Sequence, residues 1–241
     1  MRHGWGVELS SNTNQHRTRA IVPMKPIAES KTRLKPAISD ERRAILSLGM
    51  LLRVIGSAVA TPQLKDVVVY GGNDAVRTVC EQAGAGWRPD PGAGLNGCLT
   101  AAFSEARDEG IDYGLFLPAD LPIASSGDLS AFLSAGATTA LALAPDLAND
   151  GTNTLLLNLS TDFPTLLGEA SFNRHVDQAA RLGIDYVVHT SDGLGLDIDT
   201  ESDLDRLKKI QPNLWDDLQR EIQEAGLKPS RPTKPIIEGA E

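Results

Sequence analysis

Tyr113-Gly114-Leu115-Phe116-Leu117-Pro118-Ala119-Asp120-Leu121-Pro122 is the stretch that decides the fold. Residues 113–117 form a short, continuous apolar run. A strand with one wet face alternates apolar and polar residues. An unbroken run belongs in a sheet covered on both sides, as parallel sheets are. The run ends at Pro118, and Asp120 follows between two prolines. A similar pattern recurs downstream, where Leu194-Gly195-Leu196 reads as a strand leading into Asp197-Ile198-Asp199. Alternate residues of an extended chain face the same way, so Asp197 and Asp199 address one spot.

Outward from this stretch, apolar runs at 19–24, 66–70, 138–144, 154–159 and 185–189 read as further strands. Helical patterns at 40–60, 74–83, 95–109, 126–135, 171–182, 201–210 and 213–225 fill the intervals. Ser39 and Ser171 stand where helix caps belong, Thr200 with Asp203 makes a capping box, and Gly226 stops the last helix. Regular alternation without a break in composition over 18–226 predicts a single α/β domain, three layers around a mostly parallel, Rossmann-like sheet. Residues 1–17 read as a disordered tail, and 227–241, with three prolines, as a flexible one. Ligands of such sheets lie beyond the carboxyl ends of the strands, and the motif loops all follow strands.

The 241-residue chain is 41% hydrophobic but only 5% aromatic, which predicts an aliphatic core. Its net charge of −9 argues against nucleic-acid binding, which needs a basic face. A small polyanion needs only a local patch. Arg19, Lys25, Lys31, Arg33 and Lys35 supply one, against the single acid Glu29. Cys80 and Cys98 lie on predicted helices without a zinc spacing and read as buried free thiols. The amino-terminal segment is too polar for a signal peptide, and no apolar run has membrane-spanning length. A cytosolic protein is expected.

Asp120, Asp197 and Asp199 together make an oxygen-rich set suited to Mg²⁺ or Mn²⁺. Taken singly, Asp120 also reads as a turn cap, and one of the pair as support for the helix start at Thr200. Val22-Pro23-Met24-Lys25-Pro26 and Lys31-Thr32-Arg33-Leu34-Lys35 follow the first strand, where nucleotide loops sit in α/β proteins. This segment lacks the glycines of a phosphate loop, so it would grip phosphates with side chains: Lys as a point charge, Arg as a fork. By charge alone it also reads as a solvated surface loop. Asp90-Pro91-Gly92-Ala93-Gly94-Leu95-Asn96 lets backbone approach a flat base or a sugar, with Asn96 placed to bond a ribose hydroxyl. An ordinary capped loop has the same composition. Asp150-Gly151-Thr152-Asn153-Thr154 and Gly168-Glu169-Ala170-Ser171 offer hydroxyls and a helix N-terminus to an anion, such as the phosphate of a second substrate. His175, one turn into that helix, is expected to pack or support rather than react. The stripe Leu214, Trp215, Leu218 and Ile222 is either core or the face of a homodimer.

The basic segment, the Asp90 to Asn96 loop, Pro118 to Pro122, Asp150 to Thr154, Gly168 to His175 and Asp197 to Thr200 occur in a familiar order over 19–208. With them the chain resembles the 2-phospho-L-lactate guanylyltransferase family of coenzyme F-420 biosynthesis. Bacterial members of that family use phosphoenolpyruvate, and some use 3-phosphoglycerate. The resemblance implies a glycosyltransferase-A-like nucleotidyltransferase fold, GTP as substrate and a divalent metal. It implies that Lys25 reaches the acceptor phosphate and that Thr152, Gly168 and Ser171 complete the acceptor pocket. Lys31 and Arg33 would face the β and γ phosphates of GTP, with Gly94 and Asn96 in the nucleotide loop. Asp120, Asp197 and Asp199 would hold the metals. Lys25, Lys31 and Arg33 would then carry much of the catalysis, because two anionic reactants must be brought together. The attacking phosphate, with a second pKa of about 6, is already mostly dianionic at neutral pH and needs no general base. Two other readings keep the same fold. One is an enzyme with a molybdopterin or sugar-phosphate acceptor, the other a nucleotide sensor that releases no pyrophosphate.

Overall fold

The computed structural model describes residues 16–227, so the tail expectations for 1–15 and 228–241 lie outside the described residues. Seven strands form one sheet: β1 (Thr18–Met24), β2 (Leu64–Gly71), β3 (Gly86–Arg88), β4 (Tyr113–Phe116), β5 (Leu141–Pro145), β6 (Thr152–Asn158) and β7 (Tyr186–Val188). Their order is β3-β2-β1-β4-β6-β5-β7. Every pairing is parallel except those of β6, which runs against β4 and β5.

The unbroken apolar runs are explained by cover on both faces. Ala20, Val22 and Leu115 point to one side, under α1 (Asp40–Val59), α2 (Asp74–Ala83), α4 (Ser126–Gly136), α7 (Glu201–Ile210) and α8 (Leu214–Glu224). Ile21 and Phe116 point to the other, under α3 (Gly94–Asp108) and α5 (Ser171–Leu182). Both cores are mainly aliphatic, as the composition requires. Cys80 and Cys98 are buried free thiols. Burial pushes their pKa values up, to about 12 and about 11.

Local signals set the helix starts. The Ser39 hydroxyl accepts from the Arg42 amide at the head of α1, and Thr200 with Asp203 closes a capping box on α7. The apolar stripe of α8 is core: Leu214, Leu218 and Ile222 are buried against α1. Burying each such leucine is worth about 1.5–3 kcal/mol. The fit is close, because a Cβ on Gly49 would lie 2.5 Å from Leu218 Cδ2. Arg53 on α1 then clamps Glu221 of α8 through two hydrogen bonds of 2.8 Å.

Three local expectations are corrected. Leu194-Gly195-Leu196 is not a strand. Asp192–Gly195 is a one-turn helix, α6, capped by the Ser191 hydroxyl. Its carbonyls need no ladder, since the Asn153 carboxamide donates to Leu194 O and Gly195 O, and the Leu147 amide donates to Gly195 O. Ser171 does not cap α5. Ala170, in the left-handed region at φ 52°, takes the cap position, and Ser171 begins the helix with its hydroxyl turned to Thr152. Finally, β5 starts at Leu141 rather than at 138, and the three-residue edge strand β3 was not anticipated.

One irregularity places the site. Pro145 pairs with Thr152 and Ala144 with Thr154, leaving Asn153 as an extra residue in β6. Leu155 and Leu157 face the α3/α5 side and Leu156 the other. Simple alternation would carry Thr152 away from α5. The bulge reverses it, so Thr152 meets α5 while Asn153 meets α6.

Candidate active site

The motif loops gather at the carboxyl edge of the sheet, and backbone strain gathers with them. Among the described residues, the non-glycine positions with positive φ are Lys31 (52°), Ala93 (63°), Asn149 (57°) and Ala170 (52°). Lys31, Ala93 and Ala170 lie in loops singled out above, and Asn149 immediately precedes one. Such a conformation costs about 1–3 kcal/mol and persists only where neighbours enforce it. For Lys31 the enforcer is Arg43, buried on α1. Its guanidinium donates to Ser30 O at 2.7 Å, and Ser30 Oγ donates to Pro26 O at 3.2 Å. Nothing in the sequence marked Arg43, which sits in a run of charged residues at the start of a helix.

The charged half of the site centres on Lys31. Its Nζ lies 2.5 Å from Asp120 Oδ2 and 3.0 Å from Asp199 Oδ1, and Arg33 Nη1 lies 3.3 Å from Asp199 Oδ2. Burial disfavours the Lys31 charge, but the two aspartates outweigh it and hold its pKa above the usual lysine value. Burial likewise opposes ionisation of Asp199, and Lys31, Arg33 and Lys25 overcome it, holding that carboxyl below its ordinary range. Lys25 is itself exposed. Asp197 goes the other way. Burial, then the charges of Asp120 and Asp199, push its carboxyl up to about 6, although the Asn153 amide donates to it at 3.3 Å.

Asp120 and Asp199 come together on a shared cation, while Asp197 is held by Asn153. The cation is Lys31, delivered from about ninety residues before Asp120. Among the described residues, no three His, Cys, Asp or Glu side chains lie close enough together to hold a metal ion as they stand. The donor set nonetheless suits a hard divalent cation, being all carboxylate oxygen. Burial first, and then the charges of Asp120 and Asp199, raise the Asp197 carboxyl, and such a cation would relieve the repulsion among them. To hold a metal ion these carboxylates would have to close up on one another as well as release the Lys31 ammonium.

The other half is neutral and closed. Thr152, Ser171 and His175 are buried, His175 completely. Ser171 Oγ accepts from the Thr152 amide at 2.8 Å, and Thr152 Oγ1 lies 2.9 Å from His175 Nδ1. The Leu166 amide donates to His175 Nε2 at 2.8 Å. Burial pushes the His175 pKa down to about 4, with the neighbouring Arg174 charge adding and a Ser171 backbone contact opposing. Asp150 staples the two loops together: its carboxylate accepts from the Ala170 amide at 3.3 Å and its carbonyl from the Phe172 amide at 3.0 Å. Gly168 sits at φ +124° with open space where a Cβ would be, a conformation that favours glycine.

The Asp90 to Asn96 loop joins the two halves. Asn96 donates to Leu167 O at 3.0 Å and accepts from the Leu167 amide at 2.8 Å, so its carboxamide anchors the loop next to Gly168. Gly94, at φ +69°, opens α3. On the far wall Gly71, at φ +95°, lies against Met24 O and the Asp90 side chain, where a Cβ would collide with that carbonyl. No helix among the described residues is long and apolar enough to cross a membrane.

With this geometry fixed, its relatives can be compared. The family model described as "Guanylyl transferase CofC like" matches residues 18–209. A phosphoenolpyruvate guanylyltransferase of Rubrobacter xylanophilus is 35% identical over 190 residues, covering 78% of this chain and 92% of its own. A 2-phospho-L-lactate guanylyltransferase of Methanothermobacter thermautotrophicus is 31% identical over 190 residues, covering 78% and 82%. In fold, a nucleotidyl transferase of Methanothermobacter superposes with a TM-score of 0.55 at 15% identity, over 85% of this chain and 98% of its own. That likeness shows an α/β nucleotidyltransferase fold. The match across the strands, loops and carboxylates described above makes the chain a member of the CofC-like guanylyl transferase family.

Proposed function

We propose that the protein transfers GMP from GTP to the phosphate of a small phosphorylated carboxylic acid, releasing pyrophosphate, in coenzyme F-420 biosynthesis. The acceptor is 2-phospho-L-lactate, phosphoenolpyruvate or 3-phosphoglycerate. The observation that carries this reading is the Asn153 bulge. It sets Asn153, which bonds Asp197, and Thr152, which joins the buried Ser171 and His175 group, on adjacent residues of one strand. A site for a metal-bound triphosphate beside a site for a small anion is what transfer between two phosphorylated substrates needs. The names of the two relatives, each a guanylyltransferase for a small phosphorylated acid, support the same substrates.

In this reading Asp120, Asp197 and Asp199 would hold Mg²⁺ or Mn²⁺, which would neutralise charge on the phosphates. Lys31 and Arg33 leave their aspartates for the β and γ phosphates of GTP. Gly94 and the loop anchored by Asn96 take the nucleoside. Lys25 holds the acceptor phosphate, and Thr152, Gly168 and Ser171 hold the rest of the acceptor. The acceptor phosphate oxygen attacks the α-phosphorus in line, forming a new P–O bond as the bond to pyrophosphate breaks. No side chain has to take a proton, because the nucleophile is already a dianion. The buried, reduced thiols Cys80 and Cys98 fit a cytosolic setting.

The test is pyrophosphate release from GTP with Mg²⁺, each of the three acceptors alone, and ATP in place of GTP. Release with GTP and one acceptor is the expected outcome, and it names the acceptor. Silence with all three would overturn the assignment in favour of another acceptor class or a non-catalytic sensor.

A further inference from the structure

His175 is not itself assigned to substrate, yet both of its ring nitrogens are engaged. A backbone amide can only donate, so the Leu166 N–H contact makes Nε2 an acceptor that carries no hydrogen. A neutral imidazole has one ring proton, and here it must sit on Nδ1. Nδ1–H therefore donates to Thr152 Oγ1. A hydroxyl has one hydrogen to give. Because the Thr152 oxygen is receiving, its own hydrogen is left unspent. Ser171 repeats the arrangement, since its oxygen receives the Thr152 amide. Among the described residues neither hydroxyl donates to a protein acceptor, although both are buried. Buried hydroxyl hydrogens without acceptors are uncommon in folded proteins.

We propose that His175 is a positioning residue that, as the Nδ1–H tautomer, turns the Thr152 hydroxyl into an obligate donor toward the acceptor. Paired with Ser171, it makes a donor-only lining. Such a lining takes an anionic oxygen, of carboxylate or phosphate, and disfavours a neutral hydroxyl that needs an acceptor in return. The role assumes the guanylyltransferase reading above. It differs from mere packing, because an aromatic ring of similar size without a donor would keep the volume and lose the direction of the hydroxyl.

The experiment compares His175→Phe, which keeps a ring and loses the donor, with His175→Asn, whose amide can replace Nδ1–H. Steady-state pyrophosphate release is measured with GTP and the acceptor varied separately. The expected result for His175→Phe is a tenfold or greater rise in KM for the acceptor, with KM for GTP and the saturated kcat within about twofold of wild type. Most of the loss should be recovered in His175→Asn. Adding Thr152→Val to His175→Phe should cost little more, because the two act through one hydrogen bond. An unchanged acceptor KM in His175→Phe, or an equal rise for GTP, would overturn the proposal. So would full additivity with Thr152→Val.

Nitrogen chemical shifts of the His175 ring in the ligand-free wild-type protein give a second readout that needs no activity and no variant. Hydrogen on Nδ1 is expected, and hydrogen on Nε2 would overturn the relay even if His175→Phe fails to fold. Silence of the wild type with every acceptor would instead overturn the functional reading, while the ring shifts still report whether the hydroxyl is directed.

Discussion

Lys31, Arg33, Asp120 and Asp199 on one side of the Asn153 bulge, and Thr152, Ser171 and His175 on the other, are built in opposite ways. The first group is ionised, and its charges cancel one another through contacts of 2.5–3.3 Å. The second is neutral, buried and locked by hydrogen bonds of 2.8–2.9 Å. In the proposed reaction a cluster of mutually paired charges would have to rearrange to hold a metal and a triphosphate. In the same reaction a locked pair of hydroxyls would be ready beforehand and would lose little entropy when the acceptor arrives. The difference predicts that nucleotide and metal come with side-chain movement, and that the acceptor does not require it.

The largest effect should come from breaking the charged half. Asp120→Ala or Asp199→Ala is expected to lower metal-dependent turnover by about 10²–10³-fold, the scale of losing one preorganised electrostatic group. The fold should persist, since Asp120 and Asp199 are solvent-accessible side chains at the sheet edge. Turnover and a circular-dichroism melt on the same preparation would check both. Near-normal turnover in either variant would remove that carboxylate from the chemistry.

The neutral half should show itself in the pH dependence of stability. The His175 pKa is lowered to about 4 in the fold, against an ordinary 6.5. The unfolded chain therefore binds this proton more readily between those values. The stabilisation from keeping the ring neutral is fully present above pH 6.5 and is lost as pH falls toward 4. That contribution is on the order of 3 kcal/mol. Asp197 has the opposite sign. Its raised carboxyl favours the folded state at low pH, and that contribution is lost as pH rises through about 6. It is the smaller term, because Asp197 is only half-buried and screened by solvent. Denaturant unfolding of wild type and His175→Asn between pH 4 and 7 should show a shallower acid loss in the variant. Parallel curves would mean that the buried ring is not held neutral.

Much of this contrast could be read in the chain, but not its wiring. Runs such as 113–117 gave a covered parallel sheet because burial on both faces leaves no alternation to hide. Ser39 and Thr200 marked helix starts because capping is local chemistry. Leu194 to Leu196 misled because a short apolar run packs equally well as a helical turn, and the choice fell to Asn153, forty residues away. Ser171 misled in the same way, its hydroxyl being claimed by Thr152 rather than by its own helix. The pairing of Lys31 with Asp120 and Asp199 spans up to 168 residues, which no local pattern encodes. Arg43 pairs locally with Asp40, but its reach to the Lys31 loop was invisible because that partner is a backbone carbonyl, and carbonyls carry no sequence signature.

A smaller effect should follow from removing the internal cation. In Lys31→Met the three aspartates lose the charge that now neutralises Asp120 and Asp199. The nucleotide-free protein is then expected to bind Mn²⁺ about tenfold more tightly, a gain of about 1.4 kcal/mol. Titration followed by electron paramagnetic resonance reads this without turnover. Equal or weaker Mn²⁺ binding would show that Lys31 and the metal do not compete for these oxygens.

The smallest expected change tests whether the two halves are independent. Arg43 is buried, touches no site side chain, and supports the strained Lys31 backbone through Ser30 O. Arg43→Met keeps most of the apolar stem and removes the donor, leaving a buried carbonyl unpaired at a cost of about 1–3 kcal/mol in stability. The strain at Lys31 would then relax, and Lys31 and Arg33 would spend less time in position for a triphosphate. KM for GTP should rise a few-fold while KM for the acceptor stays put, because the Thr152 and Ser171 pocket is held from α5 and Asp150 instead. A matching rise in the acceptor KM would mean that the loops move as one body, and the contrast between a rearranging half and a ready-made half would fail.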